Sequence, residues 1–257
     1  MNPSEASAMQ LPEVEAIEPE LTTPLFDAEP DVPGSPTVDL DTGKAEDILR
    51  YAVDQFSDQL PGDRLIQAIS FQKEASVILD MLIKINPNQR FFTIDNGNLF
   101  PETLDVWRAI EAKYDIKIEV FRSLELAPAS IREQATPENA WAGAPDDCCG
   151  PYKVASLEAA LLGADAWITG LRREQSHTRA ETRKVQWDAK NGLWKVCPLA
   201  DWSERDVWNY IFENDVPYNK LHDQGYASIG CTNCTQPGEG REGRWAGSDK
   251  TECGLHG

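Results

Sequence analysis

Nowhere in its 257 residues does the chain string together the roughly 18 apolar residues that a membrane-spanning helix needs. The N-terminus has no basic segment leading into an apolar one, so no secretory signal is expected and the protein reads as cytoplasmic. Positive charge is scarce: 24 Lys and Arg stand against 43 Asp and Glu, for a net charge of −19. Duplex nucleic acid binding needs a basic face, and that shortage argues against it while leaving room for a local anion pocket. No internal repeat is evident, and the glycines of a Walker A or dinucleotide-binding loop are missing. An SGGxDS-like loop, which an ATP-pyrophosphatase-type ligase or sulfurase would need, is also lacking.

The acid is concentrated at one end: residues 1–47 hold twelve Asp and Glu and one lysine. Prolines recur there and apolar area is small, so residues 1–43 are expected to form a disordered acidic tail. The folded part is placed at 44–234, with a flexible segment at 235–257. Apolar spacing predicts helices in AEDILRYAVDQFSDQL, KEASVILDMLIKI and FPETLDVWRAIEAKY, the last with Pro101 in its first turn. Further helices are expected around 125–134 and 154–162, and over SERDVWNYIFEN with Ser203 as N-cap and Asp206 at N3. Strands are expected in RLIQAIS, RFFTID, IKIEVF, AWITG and WKVCPL. This alternation predicts an α/β fold built on a doubly wound, mostly parallel sheet. Ligands of such sheets sit beyond the carboxyl ends of the strands. The loops at Ser70, at Asp95-Asn96-Gly97 and at Thr169–Arg173 should therefore face a shared site.

Six cysteines in a reducing compartment suggest metal binding or catalysis before disulfides. Cys148 and Cys149 are adjacent, and Cys231 and Cys234 form a Cys-x-x-Cys pair. Four thiolates suit either a structural zinc or a [4Fe–4S] cluster. Neighbouring cysteines strain a tetrahedron about one ion but can each take a different iron of a cubane, which favours the cluster. A separate thiol, Cys253, lies with His256 in a Gly-rich tail, where nearby cations would make it a thiolate nucleophile. Lys153, Arg172, Arg173, Arg179, Arg241 and Arg244 could supply those cations and bind an anion. Ser70, in SFQKEAS at a strand-to-helix turn, offers a hydroxyl and backbone N–H groups for a phosphate. Cys197 reads as a buried structural residue, and His177 and His222 are given no role.

The stretches CC…K at 148–153, WITGLRR at 167–173, SIGCTNC at 228–234, REGRW at 241–245 and KTECGLH at 250–256 together resemble the thioredoxin-dependent, iron–sulfur adenylylsulfate reductases. The likeness covers roughly residues 60–257 and implies an adenine nucleotide alpha-hydrolase-like fold. It also implies reduction of adenosine 5′-phosphosulfate to sulfite and AMP through an S-sulfocysteine on Cys253, with thioredoxin as partner. By the same resemblance Cys148, Cys149, Cys231 and Cys234 would hold one [4Fe–4S] cluster, and Lys153 and His256 would act with Cys253. Ser70 and Gln72 would meet the phosphate, and Ile94, Asn96 and Gly170 the adenosine. Arg172, Arg179, Arg241 and Arg244 would surround the phosphosulfate. Relatives lacking the four cluster cysteines reduce the 3′-phosphorylated substrate, so that activity is the alternative; an iron–sulfur sensor without a use for Cys253 is another. Two departures stand out: IDNG at 94–97 where the family has LDTG, and Lys73-Glu74-Ala75 in the phosphate loop. The oligomeric state is left open.

Overall fold

Short apolar strands joined by amphipathic helices can bury both faces of a parallel sheet, and this chain does so. The computed structural model describes residues 30–34, 36–57, 64–122, 149–246, 249–250 and 252–256. The strands are β1 (Leu65–Ala68), β2 (Arg90–Ile94), β3 (Glu119–Phe121), β4 (Ala166–Ile168), β5 (Val185–Asp188) and β6 (Leu193–Val196). Their order across the sheet is β3-β2-β1-β4-β6-β5. All neighbours are parallel except β5, which pairs antiparallel with β6 and puts Trp187 opposite Trp194. The helices are α1 (Ala45–Phe56), α2 (Lys73–Ile85), α3 (Pro101–Tyr114), α4 (Ala155–Leu161) and α5 (Glu204–Glu213), and one π-helical turn, Gly150–Val154, leads into α4.

Successive strand residues point to opposite faces. Leu65, Phe91, Ala166 and Ile168 join a large core with residues of α1, α2, α3 and α5. Ile66, Phe92 and Trp167 face the other way, onto Leu157, Ala160 and Leu161 of α4, with Leu255 of the C-terminal tail packed beside them. The capping box of α5 is present: Ser203 Oγ accepts from Asp206 N at 3.2 Å, and Ser203 N donates to Asp206 Oδ2 at 2.8 Å.

Two expectations need correcting. Ordered packing begins before Lys44, because Val32, Val38 and Leu40 lie against the main core and Tyr51 Oη donates to Pro33 O at 2.8 Å. Strand β5 was not expected, and the fifth strand foreseen in WKVCPL is β6, the partner of this antiparallel edge. The expected helix near 125–134 lies outside the described residues, as do residues 1–29.

β1 has β2 on one side and β4 on the other, so crossovers leave it in opposite directions. A crevice opens at such a point beyond the strand ends. The candidate site lies there.

Candidate active site

The loop after β1 does without glycine. Phe71 instead takes the left-handed conformation (φ 57°), held by burial and by stacking on Trp107 at 5.1 Å between ring centroids. A bulky residue in that region is strained, and such strain persists where surrounding packing over-determines it. Gln72 then opens α2, and its Oε1 accepts from Ile229 N at 3.0 Å. Its side chain therefore fastens the 228–230 segment to the loop as well as lining the cavity. From β4, Gly170 passes so near α2 that a Cβ there would stand 2.7 Å from Glu74 Cβ. Only glycine allows that approach without moving the helix start.

Around the crevice is a cavity of about 170 Å³. Ser70, Gln72, Ile94, Asn96 and Gly170 line it together with Lys153, Arg179, Arg241, Arg244, Cys231, Cys253 and His256. Residues from five separate stretches of sequence thus meet at one point.

Arg172 is not among them. Its guanidinium is 3% exposed and bound by Glu74 Oε1 at 3.0 Å, Glu174 Oε2 at 3.2 Å and Glu204 Oε2 at 2.6 Å. With Lys73, which meets Glu204 at 3.1 Å, it forms a buried ionic clamp between α2, the β4 loop and α5. Lys73 and Glu74 are therefore fold-holding charges rather than phosphate ligands. Arg173 also turns away, donating to Thr182 O at 2.9 Å.

Cys149, Cys231 and Cys234 are all buried, and Trp245 closes over the last two. Cys148 lies outside the described residues. One thiol of the Cys231–Cys234 pair donates to the other, which lowers the pKa of Cys234 and raises that of Cys231. Lys153 and Arg244 add positive charge on the same side. Burial works against the Lys153 ammonium, but the Cys231 and Cys253 sulfurs more than offset it, and its pKa is raised. Cys149 is raised by burial, with Lys153 and Lys250 opposing. Among the described residues no three of His, Cys, Asp or Glu close on a single point. The donor set nevertheless has the character an anionic thiolate-held cluster needs: buried sulfurs, an apolar lid and adjacent fixed cations.

Asn96 turns toward these sulfurs. Its Nδ2 donates to Cys231 Sγ at 2.9 Å, and its Oδ1 accepts from Asn98 N at 3.3 Å. Thr232 N donates to Asn98 O at 2.9 Å and Leu99 bridges Cys231, so the loop after β2 is pinned to the Cys-x-x-Cys turn. Asn96 thus contacts a cysteine as well as the cavity.

The described tail residues are docked. His256 stacks on Trp167 with centroids 5.4 Å apart. Its Nδ1 is shut off from water without a hydrogen-bond partner, and desolvation together with Arg179 and Lys195 pushes its pKa well below 6.5. Arg244 stacks on Trp245 at 4.4 Å, and Gly230 leaves the room it needs, since a Cβ there would come within 2.5 Å of Arg244 Cζ. Sequence reasoning missed Trp245, Phe71, Gln175 and Glu252. Trp245 stood in a quoted motif, and its place directly after Arg244 was the available signal. Phe71 carried none, because nothing in its residue type announces a left-handed backbone.

A parallel α/β sheet with thiols and guanidinium groups gathered at its switch point defines a protein that handles a small anionic, nucleotide-sized ligand. The chain belongs to the phosphoadenosine phosphosulfate reductase domain family, whose match spans residues 64–237. It is 45% identical over 217 residues to the adenosine 5′-phosphosulfate reductase of Shouchella clausii, covering 82% of this chain and 86% of that one. A phosphoadenosine 5′-phosphosulfate reductase of Gloeobacter violaceus is 43% identical, over 82% of this chain and 88% of its own. Among solved structures, the phosphoadenylyl-sulfate reductase of Candida auris in its phosphate complex is 29% identical. It superposes with a TM-score of 0.64 over 75% of this chain and 90% of that chain. No helix among the described residues is long and apolar enough to cross a membrane.

Proposed function

We propose that this chain reduces adenosine 5′-phosphosulfate to sulfite and AMP, with thioredoxin as the electron donor. The observation that carries the reading is the placement of the Cys253 thiol in one cavity with Lys153, Arg179, Arg241 and Arg244. Phosphosulfate is anionic and so is the thiolate that attacks it; without dense positive charge the two repel each other. Cys253 Sγ bonds to the sulfonyl sulfur as the S–O bond to AMP breaks, and AMP leaves with the electron pair. The product is an S-sulfocysteine. A thioredoxin thiolate then attacks Cys253 Sγ and expels sulfite, leaving a mixed disulfide. The second thioredoxin thiol resolves it, so two electrons pass from dithiol to sulfur and Cys253 returns as a thiol. AMP is a good leaving group, so the step demands no strong general acid.

Cys148, Cys149, Cys231 and Cys234 would hold a [4Fe–4S] cluster, whose contribution when bound is a fixed charge and a rigid frame beside the anion. Lys153, hydrogen-bonded to Cys231 and facing Cys253, orients the sulfonyl group. Ser70 and the backbone at Gln72 serve the phosphate, and Ile94 and Gly170 the adenosine.

Anaerobically purified protein mixed with adenosine 5′-phosphosulfate should gain about 80 Da on the Cys253 peptide, one SO₃ held as a covalent intermediate. Reduced thioredoxin should then release sulfite. Cys253→Ser should do neither; sulfite release by that variant would sink the reading. The names of the Gloeobacter and Candida relatives favour a second substrate, the 3′-phosphorylated nucleotide, and kcat/KM on the two nucleotides decides between them.

A further inference from the structure

The arginines assigned to the sulfonyl group already hold an anion. Glu252, the residue before Cys253, accepts from Arg179 Nε at 2.9 Å and Arg179 Nη2 at 2.7 Å, one oxygen each. Arg241 Nη2 donates to Glu252 Oε2 at 2.9 Å, and Thr178 Oγ1 to Oε1 at 3.3 Å. The paired guanidinium contact is the one that phosphate and sulfate oxygens also accept. Arg179 is itself fixed by Gln175, whose Oε1 takes Nη1 at 2.5 Å. With the tail in this position the remaining cavity is about 170 Å³. Typical ligand pockets start at ~300 Å³. A nucleotide sulfate therefore lacks two of its cations, Arg179 and Arg241, until Glu252 gives way, and lacks space while the tail stays docked.

We propose that Glu252 is the resting occupant of the Arg179–Arg241 pair, an internal anion that docks the tail and competes with the sulfonyl end of the substrate. The proposal rests on the reductase reading of the site. Its role is positioning: it touches neither sulfur nor nucleotide but sets when Cys253 is held down. Substrate arrival exchanges one anion for another at the same guanidinium groups, so loading the site loosens the segment that carries the nucleophile. A sulfonated Cys253, with its own negative charge next to Glu252, prolongs that competition until a thiol partner removes it.

The test uses full-length, cluster-loaded protein made unreactive by Cys253→Ser. Adding Glu252→Gln should tighten binding of adenosine 5′-phosphosulfate about tenfold in calorimetry, the scale of one or two charge-assisted contacts no longer contested. The same change should remove hydrogen-exchange protection from residues 252–256. In protein that keeps Cys253, Glu252→Gln should lower KM and leave kcat nearly unchanged, because the competitor is gone and the latch is already open once the nucleotide is bound. A carboxylate that merely supports the fold would lower kcat and leave affinity unchanged or weaker, and either of those results overturns the proposal. If the Cys253→Ser protein binds no nucleotide at all, the reductase reading falls. The latch is then judged on exchange alone: a tail that stays as protected after Glu252→Gln as before it overturns the latch too.

Discussion

Asn96 contacts a sulfur and lines the cavity, so one side chain serves two neighbours. Hydrogen bonds to thiolates stabilise the more negative state and raise the reduction potential of a cluster they hold. With Cys231 holding the proposed cluster, Asn96→Ala should therefore lower its potential and shorten the life of the visible charge-transfer band in air. Anaerobic iron analysis and timed absorption spectra check this; an unchanged decay in air would mean that the amide does not support the ligand. This residue also marks the limit of sequence reading. That position 96 belongs to the site was legible from its place after a strand. That its amide meets Cys231 was not, because the partner lies 135 positions away and depends on how the Cys-x-x-Cys turn is seated. Arg172 shows the opposite case. It sat in a quoted motif and was grouped with the candidate anion-binding arginines, yet three carboxylates claim it, two of them from α2 and α5.

Those carboxylates make the start of α2 an element held by charge. Glu74 is buried, and although burial raises its pKa, Lys73 and Arg172 lower it further, so the carboxylate stays ionised. Glu174 and Glu204 reach water, but Glu74 is buried, and removing Arg172 leaves it with only Lys73 at 3.8 Å, a broken buried pair that costs up to about 3–5 kcal/mol. Arg172→Ala should show a loss of that size in urea unfolding, whereas Arg173→Ala, on the neighbouring exposed loop, should cost far less. Equal losses would mean that the clamp is not the source of stability. The phosphate loop and Gly170 both lean on this clamp, so the shape of the site depends on charges outside it. The sheet itself was mostly readable: apolar runs bounded by turn residues gave β1 to β4 and β6 in order. The edge strand β5 escaped because VQWD has only two apolar residues. The signal was present in Asn191-Gly192, where Gly192 takes φ 68° in the turn between β5 and β6, a glycine-bearing hairpin connection.

At the scale of the whole molecule, the tail is part of the fold as much as of the site. Its docking should depend on pH in a defined direction. The docked His256 has a pKa held well below 6.5 by desolvation and by Arg179, Lys195, Arg241 and Lys190. A released tail therefore binds a proton below pH 6.5 that the docked one refuses, and docking weakens as pH falls from that point. Glu252 acts in the same direction lower down: desolvation opposes its charge, but Arg179 and Arg241 hold its pKa beneath 4.5, so its contribution is present above 4.5 and is lost as pH drops through the lowered value. Exchange at residues 252–256, corrected for its intrinsic pH dependence, should be flat above neutrality. It should be about tenfold faster for each unit below pH 6.5, one proton's worth of linkage. No acceleration near pH 5.5 would mean that the imidazole is not sequestered in the docked state.

Leu255 completes the second face of the sheet beside α4, two residues from Cys253. Undocking the segment that carries the thiol therefore also lifts that leucine off the sheet. Uncovering Cys253 also wets a strip of sheet centred on Trp167, so the excursion should become harder in salting-out solutes and easier in mild urea. Any protein that receives the thiol does best with a dry surface of its own to shelter the displaced leucine. On the proposed mechanism, disulfide exchange at Cys253 is thus coupled to solvation as well as to charge.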